Sequence, residues 1–340
     1  MQRIHSIDLL KIVIAFGVVW GHALLMTQDG GVIAYLLGHG LARTVVPIFA
    51  VVSGFLFFFT ERGGKAKPWL IRLFVFYLFW CVVYLPIWWP KPATIPAVAE
   101  NLFFGPLHLW YLAALLPALT ILRMVVAHSG GEEGVRRRLF WIALLCLSCG
   151  TLIQSTDYFT AIDLPLNAYR NALFMEFPFV SFGYLIAAKV KRDGIDGLPP
   201  VPLLCGLLAV LVVLRLAEAW VSMRTFGLSI VAPPEFPFLL AAFAVVIVML
   251  TLRLKVPQMP VNFGYLSMMI YFLHMGFLVI GLHFGVKDAE VLTVIGLVAS
   301  VLSALALQAV LPLLPRSVPK LRAFAGFAGL QRAEQEERRP

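Results

Sequence analysis

Three ionisable residues, Asp8, Lys11 and His22, lie within an apolar stretch, residues 7–28, that is long enough to cross a bilayer. In an α-helix, His22 returns to within roughly 20° of the face that carries Lys11, about 16 Å further along the axis. Asp8 lies one turn from Lys11 on nearly the same side, where the two side chains can pair. Ionisable groups inside a spanning helix are costly and usually face a protein interior or a wet cavity. The stripe therefore predicts a functional cavity.

The composition is that of a membrane protein. The 340 residues are 61% hydrophobic and only 13% charged, whereas soluble domains are about 45–50% apolar and about 25% charged. Ten apolar runs are candidate spans: 7–27, 41–60, 70–90, 107–127, 139–155, 170–188, 201–219, 236–252, 262–283 and 290–314. We therefore predict an all-α integral membrane protein with about ten transmembrane helices around a polar intramembrane cavity. The proline-containing residues 91–106 are expected to form a re-entrant or irregular turn.

The basic residues occur mainly in alternate connections between these runs. One side carries these clusters: Arg3; Arg62, Lys65 and Lys67; Arg136, Arg137 and Arg138; Lys189, Lys191 and Arg192; Arg253 and Lys255; and the tail from Arg316. The other side holds, at or near its helix ends, Arg43, Lys91, Arg170, Arg224 and Lys287. The positive-inside rule then places both termini in the cytoplasm, which requires an even number of spans. The net charge of +9 follows this topology, so no nucleic-acid partner is expected.

Depth divides the polar residues of the spans into two groups. The group predicted near the cytoplasmic face consists of Lys11 and Arg72, with Lys65 and Lys67 in the adjoining loop. Such cations suit an anionic ligand, for example a pyrophosphate or a 3′-phosphate. The group predicted near the outer face consists of Arg43, His108 and Arg170. These side chains could hold a sugar hydroxyl or a carboxylate.

His22 is predicted at a depth between the two groups, and Tyr271 and His274 of the ninth span would line the same cavity. Because histidine exchanges protons near neutral pH, His22 could take a proton from a hydroxyl or pass one on. An anionic ligand on one side, a base in the middle and a polar acceptor site opposite suggest group transfer through a membrane. Each residue alone has a simpler explanation: a buried histidine usually packs, and Lys11 can extend to the interface.

Five segments contain motifs that occur together in one known family. They are Lys11 and His22; Arg43-Thr-Val-Val-Pro-Ile-Phe with Ser53-Gly54-Phe55; His108-Leu-Trp-Tyr-Leu; Arg170-Asn-Ala-Leu-Phe with Phe177-Pro-Phe and Gly183-Tyr-Leu-Ile-Ala; and Ser267 with Ile270-Tyr-Phe-Leu-His274. In this order and spacing the sequence resembles the acyltransferase type 3 family, multi-pass inner-membrane enzymes that acylate bacterial surface glycans. The matches run from the first predicted span to the ninth.

The resemblance implies an O-acyltransferase in the bacterial inner (cytoplasmic) membrane. The donor would be cytoplasmic acyl-CoA, most simply acetyl-CoA, and the acceptor a sugar hydroxyl of a surface polysaccharide or a lipid-linked glycan. Residues 1–315 would form the transmembrane acyltransferase domain, and residues 316–340 a basic cytoplasmic tail that could lie on membrane lipids. We expect the membrane domain to bind the final acceptor itself.

The same resemblance implies a role for each candidate residue. His22 would be catalytic, either as general base on the acceptor hydroxyl or as a transient carrier of the acyl group. The phosphates of acyl-CoA would be bound by Lys11, Arg72, Lys65 and Lys67. The acceptor side and the cavity would be shaped by Arg43, His108, Arg170, Tyr271 and His274. Two residues, Asp8 and Ser53, would support the site; Asp8 is expected to pair with Lys11. No metal is expected.

Two departures from the family pattern concern the donor side. Lys11 replaces the usual arginine, which keeps the charge but loses the bidentate geometry that suits a phosphate. Arg72 has no arginine partner, since Trp69 and Val75 occupy the positions three residues away. A transporter or flippase of lipid-linked sugars, which would use the polar stripe as a conduit, is the alternative function. A purely structural membrane partner would leave the buried charges unexplained.

Overall fold

A computed structural model describes most of the chain, namely residues 4–28, 31–160, 162–226, 234–259 and 261–310. Within these ranges the regular structure is helical, with no β-strand. The prediction of an all-α integral membrane protein is confirmed. The predicted basic tail, 316–340, lies outside the described residues.

Thirteen α-helices are present in the described ranges. They are α1 His5–Thr27, α2 Val32–Tyr35, α3 Val45–Arg62, α4 Ala66–Val83, α5 Leu85–Trp88, α6 Ile95–Phe104, α7 Trp110–Ala127, α8 Gly131–Phe159, α9 Phe177–Asp193, α10 Val201–Phe226, α11 Leu240–Arg253, α12 Phe263–His283 and α13 Ala289–Val310. Short π-helical stretches, Leu36–Leu41 and Ala172–Glu176, lie close before α3 and directly before α9. In hydrocarbon, every backbone N–H and C=O must find a partner within the chain, and helices satisfy this requirement.

Nine helical segments of the described chain are long and apolar enough to cross a membrane. They correspond to nine of the ten predicted spans. The remaining predicted span, the eighth at 236–252, is α11, which has only 14 residues and begins at Leu240. At about 1.5 Å per residue this helix is about 21 Å long, shorter than the ~30 Å hydrocarbon core. Pro237 lies just before it, where proline commonly stops a helix from extending towards the N-terminus.

Two segments differ in detail from the prediction. The fifth span, predicted at 139–155, is the 29-residue helix α8, because its first turns are polar (GEEGVRRR) and hydropathy alone does not reveal them. The segment 91–106, predicted as a re-entrant or irregular turn, is not irregular throughout, because it contains the ten-residue helix α6, whose first turn is capped by the side chain of Thr94. Pro96 lies in that first turn, where a missing N–H costs nothing.

The chain divides into two compact units, which are described separately. The larger unit contains Met1–Ile7 and Gly30–Lys255, and the smaller contains Asp8–Asp29 and Val256–Pro340. Most of α1 therefore belongs to the smaller unit, together with α12 and α13. Helices α2 to α11 belong to the larger unit.

In the larger unit, α3 and α9 approach so closely that only glycine fits at two positions. A Cβ atom on Gly54 would lie 1.9 Å from the Val180 carbonyl oxygen, and one on Gly183 would lie 1.9 Å from the Val51 carbonyl oxygen. Without a hydrophobic driving force between helices in lipid, such backbone contact supplies the packing energy. The glycines of two of the sequence motifs are therefore explained by helix packing.

In the smaller unit, α1, α12 and α13 pack against one another through apolar contacts. Tyr265 of α12 is buried against Ala304 of α13, and its hydroxyl donates to the Ala304 carbonyl at 3.1 Å. A Cβ atom on Gly296 would lie 2.9 Å from a Leu278 methyl and 3.0 Å from a Val19 methyl, so α1, α12 and α13 meet at this glycine. This packing fixes the rotation of α1 and hence the direction of its polar stripe.

We expect Gly54→Ala to destabilise the larger unit, since the obstacle is a backbone carbonyl that cannot rotate away. Overpacking typically costs about 1–3 kcal/mol, and a rigid backbone neighbour favours the upper part of that range. Thermal unfolding of the purified protein in detergent measures the effect. Gly206→Ala on α10 is the matched control, because nothing lies within 4 Å of its Cβ position. An unchanged melting temperature for Gly54→Ala would contradict the close contact.

Candidate active site

The three residues of the polar stripe, Asp8, Lys11 and His22, lie on one continuous helix, α1. The Lys11 ammonium lies 3.3 Å from the Asp8 carboxylate, which confirms the expected pairing. Both side chains are partly exposed, at 21% and 12% of their surface. His22 lies eleven residues further along the same helix, so Lys11 and His22 are about 16 Å apart along the axis.

Two histidines of the smaller unit face each other. The rings of His22 on α1 and His274 on α12 have their centroids 5.2 Å apart at a tilt of 50°. His274 is fully buried, and the ring of Tyr271 lies 6.3 Å from it. The structure therefore brings together the three residues of this unit that were predicted to line the reaction centre.

The hydrogen bonds of the two histidines decide where their protons lie. Nδ1 of His22 is 2.9 Å from the Val18 carbonyl oxygen, and Nδ1 of His274 is 2.9 Å from the Ile270 carbonyl oxygen. A carbonyl oxygen only accepts, so each Nδ1 must carry a proton. In a neutral ring Nε2 then bears the lone pair. His22 is thus held in the tautomer that a general base requires at Nε2.

In the larger unit, Arg43 and Arg170 converge on one carboxylate. An Arg43 Nη1 donates to Glu235 Oε1 at 2.7 Å, and Arg170 Nη1 lies 3.5 Å from the same oxygen. Glu235 is only 7% exposed. Two cations share one anion, so this cluster keeps one net positive charge at the predicted outer end of the spans.

Local structure fixes the position of Arg170. Its guanidinium lies over the ring of Trp110, 4.7 Å from the centroid, in a cation–π contact. The next residue, Asn171, caps the following π-helical stretch by accepting from the backbone N–H groups of Leu173 and Phe174 at 2.9 and 3.0 Å. The cap determines where the helix begins and therefore where Arg170 emerges.

Side chains of α8 and α10 form hydrogen bonds with the backbone of the segment that carries Glu235. The buried amide of Gln154 accepts from the Phe236 N–H at 2.8 Å and donates to the Phe236 carbonyl at 3.4 Å. The carboxylate of Glu218 accepts from the Phe238 N–H at 2.7 Å. These bonds satisfy backbone groups that precede α11 and cannot be paired inside it.

Tyr169, the residue before Arg170, packs against the segment that carries Glu235. Its ring lies 6.3 Å from that of Phe236, and its hydroxyl donates to Asp157 at 3.2 Å. Burial raises the pKa of the Tyr169 hydroxyl, with the neighbouring acidic groups acting in the same direction. Tyr169 therefore remains a proton donor throughout the physiological range.

Two further candidates of the larger unit, His108 and Ser53, each contact a tyrosine side chain. His108, 1% exposed, packs edge-on against Tyr84 with centroids 5.0 Å apart. The Ser53 hydroxyl is 2.9 Å from the hydroxyl of Tyr111 and links α3 to α7. These contacts position helices, and the roles of His108 and Ser53 in acyl transfer stay predictions.

A mainly apolar cavity of about 720 Å³ opens beside Arg170. Its walls come from α4, α6 and α7, with Phe74, Phe103 and Trp110 among the lining side chains. Arg170, Asn167 and Asn171 supply the polar part of the lining. An elongated apolar group with a polar end matches this combination.

The candidate donor-side cations belong to different units. Lys11 lies in the smaller unit, whereas the remaining three, Lys65, Lys67 and Arg72, are exposed at and near the start of α4 in the larger one. Their joint action on one ligand stays a prediction.

Sequence reasoning missed three acidic or amide residues of the larger unit. Glu235 was detectable, because it is an acidic residue in the proline-rich segment before an apolar run, on the same predicted side as Arg43 and Arg170. Gln154 gave no signal, since its partner is a distant backbone. Glu176 is fully buried in the stretch before α9, and its carboxylate oxygens have no hydrogen-bond partner among the described residues.

The fold and the site together define a class: a multi-pass, all-α membrane protein whose smaller unit carries a charged stripe and a histidine pair, and whose larger unit carries an arginine–glutamate cluster. A family profile described as an acyltransferase domain matches residues 4–310, nearly the whole chain. The chain therefore belongs to the acyltransferase 3 family, as the five ordered motifs indicated.

Among curated proteins, the chain is similar to a serine/alanine racemase of Enterococcus gallinarum. The two are 24% identical over 222 residues, which cover 56% of this chain and 30% of the racemase. The chain thus spans less than a third of that protein's length, and the match carries no racemase activity to this chain. No solved structure gave a significant match.

We expect Glu235→Gln to destabilise the larger unit, because it leaves two neighbouring guanidinium groups without their counter-charge. Removing one partner of a buried ion pair typically costs about 3–5 kcal/mol. The double variant Arg43→Gln/Glu235→Gln should recover a large part of the loss, since one cation and one anion are removed together.

Thermal unfolding of both variants tests the cluster, with Glu132→Gln as the control. Glu132 pairs with Arg62 on an exposed surface, where an ion pair contributes little. A loss for Glu235→Gln as small as that of the control would show that the cluster does not stabilise the fold.

Proposed function

We propose that the protein is a membrane O-acyltransferase that moves an acyl group, most simply acetyl, from cytoplasmic acyl-CoA to a sugar hydroxyl. Membership of the acyltransferase 3 family supports acyl transfer. The observation that carries the mechanism is His22, whose Nδ1–H is fixed by the Val18 carbonyl and whose Nε2 lone pair can accept a proton. The membrane would be the bacterial inner membrane, in line with the predicted topology.

The donor would bind with its phosphates near Lys11. The Lys11–Asp8 distance of 3.3 Å and the partial exposure of both groups allow a phosphate to compete for the ammonium. Arg72, Lys65 and Lys67 would add positive charge on the same predicted side of the membrane. Acyl-CoA carries phosphates at one end and a thioester at the other, so it could bridge the ~16 Å between Lys11 and His22.

At the reaction centre, His22 Nε2 would remove the proton of the acceptor hydroxyl while that oxygen attacks the thioester carbonyl. The C–S bond then breaks, and the imidazolium returns its proton to the departing thiolate. The products are an O-acyl sugar and free coenzyme A. As an alternative path to the same products, Nε2 attacks the thioester first and carries the acyl group until the hydroxyl accepts it. His274 and Tyr271 would hold the His22 ring in place.

The acceptor would contact the Arg43–Glu235–Arg170 cluster, which keeps one net positive charge and offers donors to hydroxyl or carboxylate oxygens. The cavity of about 720 Å³ beside Arg170 supports a lipid-linked acceptor over a free polymer. Its apolar walls suit a hydrocarbon chain, and its polar side chains suit the group that joins the chain to the sugar. Ser53 and His108 would shape this side from α3 and from the turn before α7.

The alternative, a transporter of lipid-linked sugars, requires transport without acyl-CoA consumption. Purified protein incubated with radiolabelled acetyl-CoA separates the two functions. Hydrolysis, acyl transfer or self-labelling supports the enzyme, whereas none of the three supports the transporter.

His22→Ala should abolish acyl transfer and leave the protein folded, because it removes the base and leaves the helix intact. Loss of general-base catalysis alone costs about 10²–10⁴-fold in rate. His283→Ala is the control, since His283 is exposed in the last turn of α12 in the same unit. Activity is followed as release of free thiol from acetyl-CoA, and folding by size-exclusion chromatography. Full activity of His22→Ala would remove this mechanism.

Lys11→Ala should weaken acyl-CoA binding, and Lys11→Arg should preserve or improve it, because arginine adds bidentate contacts to phosphate. Binding is measured by isothermal titration with a non-transferable acyl-CoA analogue. Lys287→Ala, which removes an equal charge at the predicted outer face, serves as the control. Equal affinities of the Lys11→Ala and Lys11→Arg variants would show that Lys11 does not bind phosphate.

A further inference from the structure

A second cavity, of about 940 Å³, lies in the larger unit at the predicted cytoplasmic ends of α3, α8 and α9. None of its lining residues has a role in the proposed acyl transfer. Six cationic side chains line it: Arg62, Arg136, Arg137, Lys189, Lys191 and Arg192. Two carboxylates, Glu132 and Glu133, also line it, so positive charge predominates.

Most of these cations already have a partner. Glu132 binds Arg62 at 3.0 Å, and Glu133 binds Arg136 at 2.6 Å. The Asp193 carboxylate forms ion pairs with both Lys189 and Arg192, at 2.9 and 2.8 Å. Two cations are left over.

Those two are Arg137 at the start of α8 and Lys191 near the end of α9. Neither has an ion pair with any of the described residues, and both are exposed at the cavity. Two cations that line one cavity and form no ion pair with a described residue are suited to binding a phosphate group.

The cavity becomes apolar further into the helices. Phe140 follows Arg137 by one turn of α8, and Phe182 precedes Lys189 by about two turns of α9. Met249 on α11 completes this wall. Cations at the membrane surface and apolar side chains at greater depth reproduce the arrangement of charge and hydrocarbon in a phospholipid.

We propose that this cavity is a binding site for an anionic phospholipid. The phosphate would lie between Arg137 and Lys191, and an acyl chain would extend along Phe140, Phe182 and Met249. Basic pockets between helices on the cytoplasmic side suit such head groups. A soluble phosphate compound would use the basic end and leave the apolar wall uncovered. This site is independent of the proposed acyl transfer.

Lipid retention tests the proposal. The full chain is placed in neutral detergent with dioleoylphosphatidylglycerol or dioleoylphosphatidylcholine, and bound lipid is counted by native mass spectrometry. We expect the anionic lipid to be retained preferentially. Arg137→Gln/Lys191→Gln should weaken its binding about thirty-fold, the conversion of about 1 kcal/mol for each cation near an anionic lipid. The charge-preserving variant Arg137→Lys/Lys191→Arg should retain it.

Arg123→Gln/Lys255→Gln is the matched control, because it removes one arginine and one lysine that are exposed at predicted cytoplasmic helix ends outside the cavity. If this control lost the anionic lipid equally, the loss would be an effect of general surface charge, and the proposal would be overturned. Equal retention of the two lipids would also overturn it. So would displacement of the anionic lipid by millimolar inorganic phosphate or coenzyme A, which would identify a soluble ligand. Phe140→Asn should weaken lipid binding further if the acyl chain lies where proposed, and unchanged binding would contradict that placement.

Discussion

The carboxylate of Glu235 is the interaction on which the outer end of the larger unit depends. It is the shared counter-charge of two guanidinium groups from separate segments, one before α3 and one before α9, and it is only 7% exposed. In such surroundings an unpaired charge costs several kcal/mol, so the positions of all three segments become linked. The cap at Asn171, the ring of Trp110 and the amide of Gln154 each hold one part of this arrangement.

The helices were largely predictable because a bilayer requires long apolar helices, and hydropathy detects long apolar runs. Runs of apolar residues located nine long helices of the described chain, and the charge of the connections indicated their direction. Hydropathy did not predict the helix boundaries that depend on polar residues, on a capping side chain or on proline. The first turns of α8 are polar, α6 begins at a threonine cap, and α11 is shortened at its proline-rich start.

The candidate site was predictable in its chemistry and less so in its contacts. Spacing on one helix was enough to pair Asp8 with Lys11, since both belong to the same turn. The facing rings of His22 and His274 required knowledge of how α1 and α12 pack, which glycines such as Gly296 determine. Arg43 and Arg170 were identified as candidates, but their shared partner lies 192 residues from Arg43. Partner choice over such separations is a property of the folded chain.

The recognition of Phe236 by Gln154 has a consequence for how this protein tolerates change. The amide contacts the N–H and C=O of Phe236, which every residue other than proline possesses. This contact therefore does not depend on the side chain at 236, which is constrained separately by its burial and by its packing against Tyr169. An insertion between Glu235 and Phe236 is different, because one residue advances the chain by up to about 3.5 Å. That displacement is comparable to the whole Arg170–Glu235 separation, so the length of the chain between Glu235 and Phe236 is what this contact constrains.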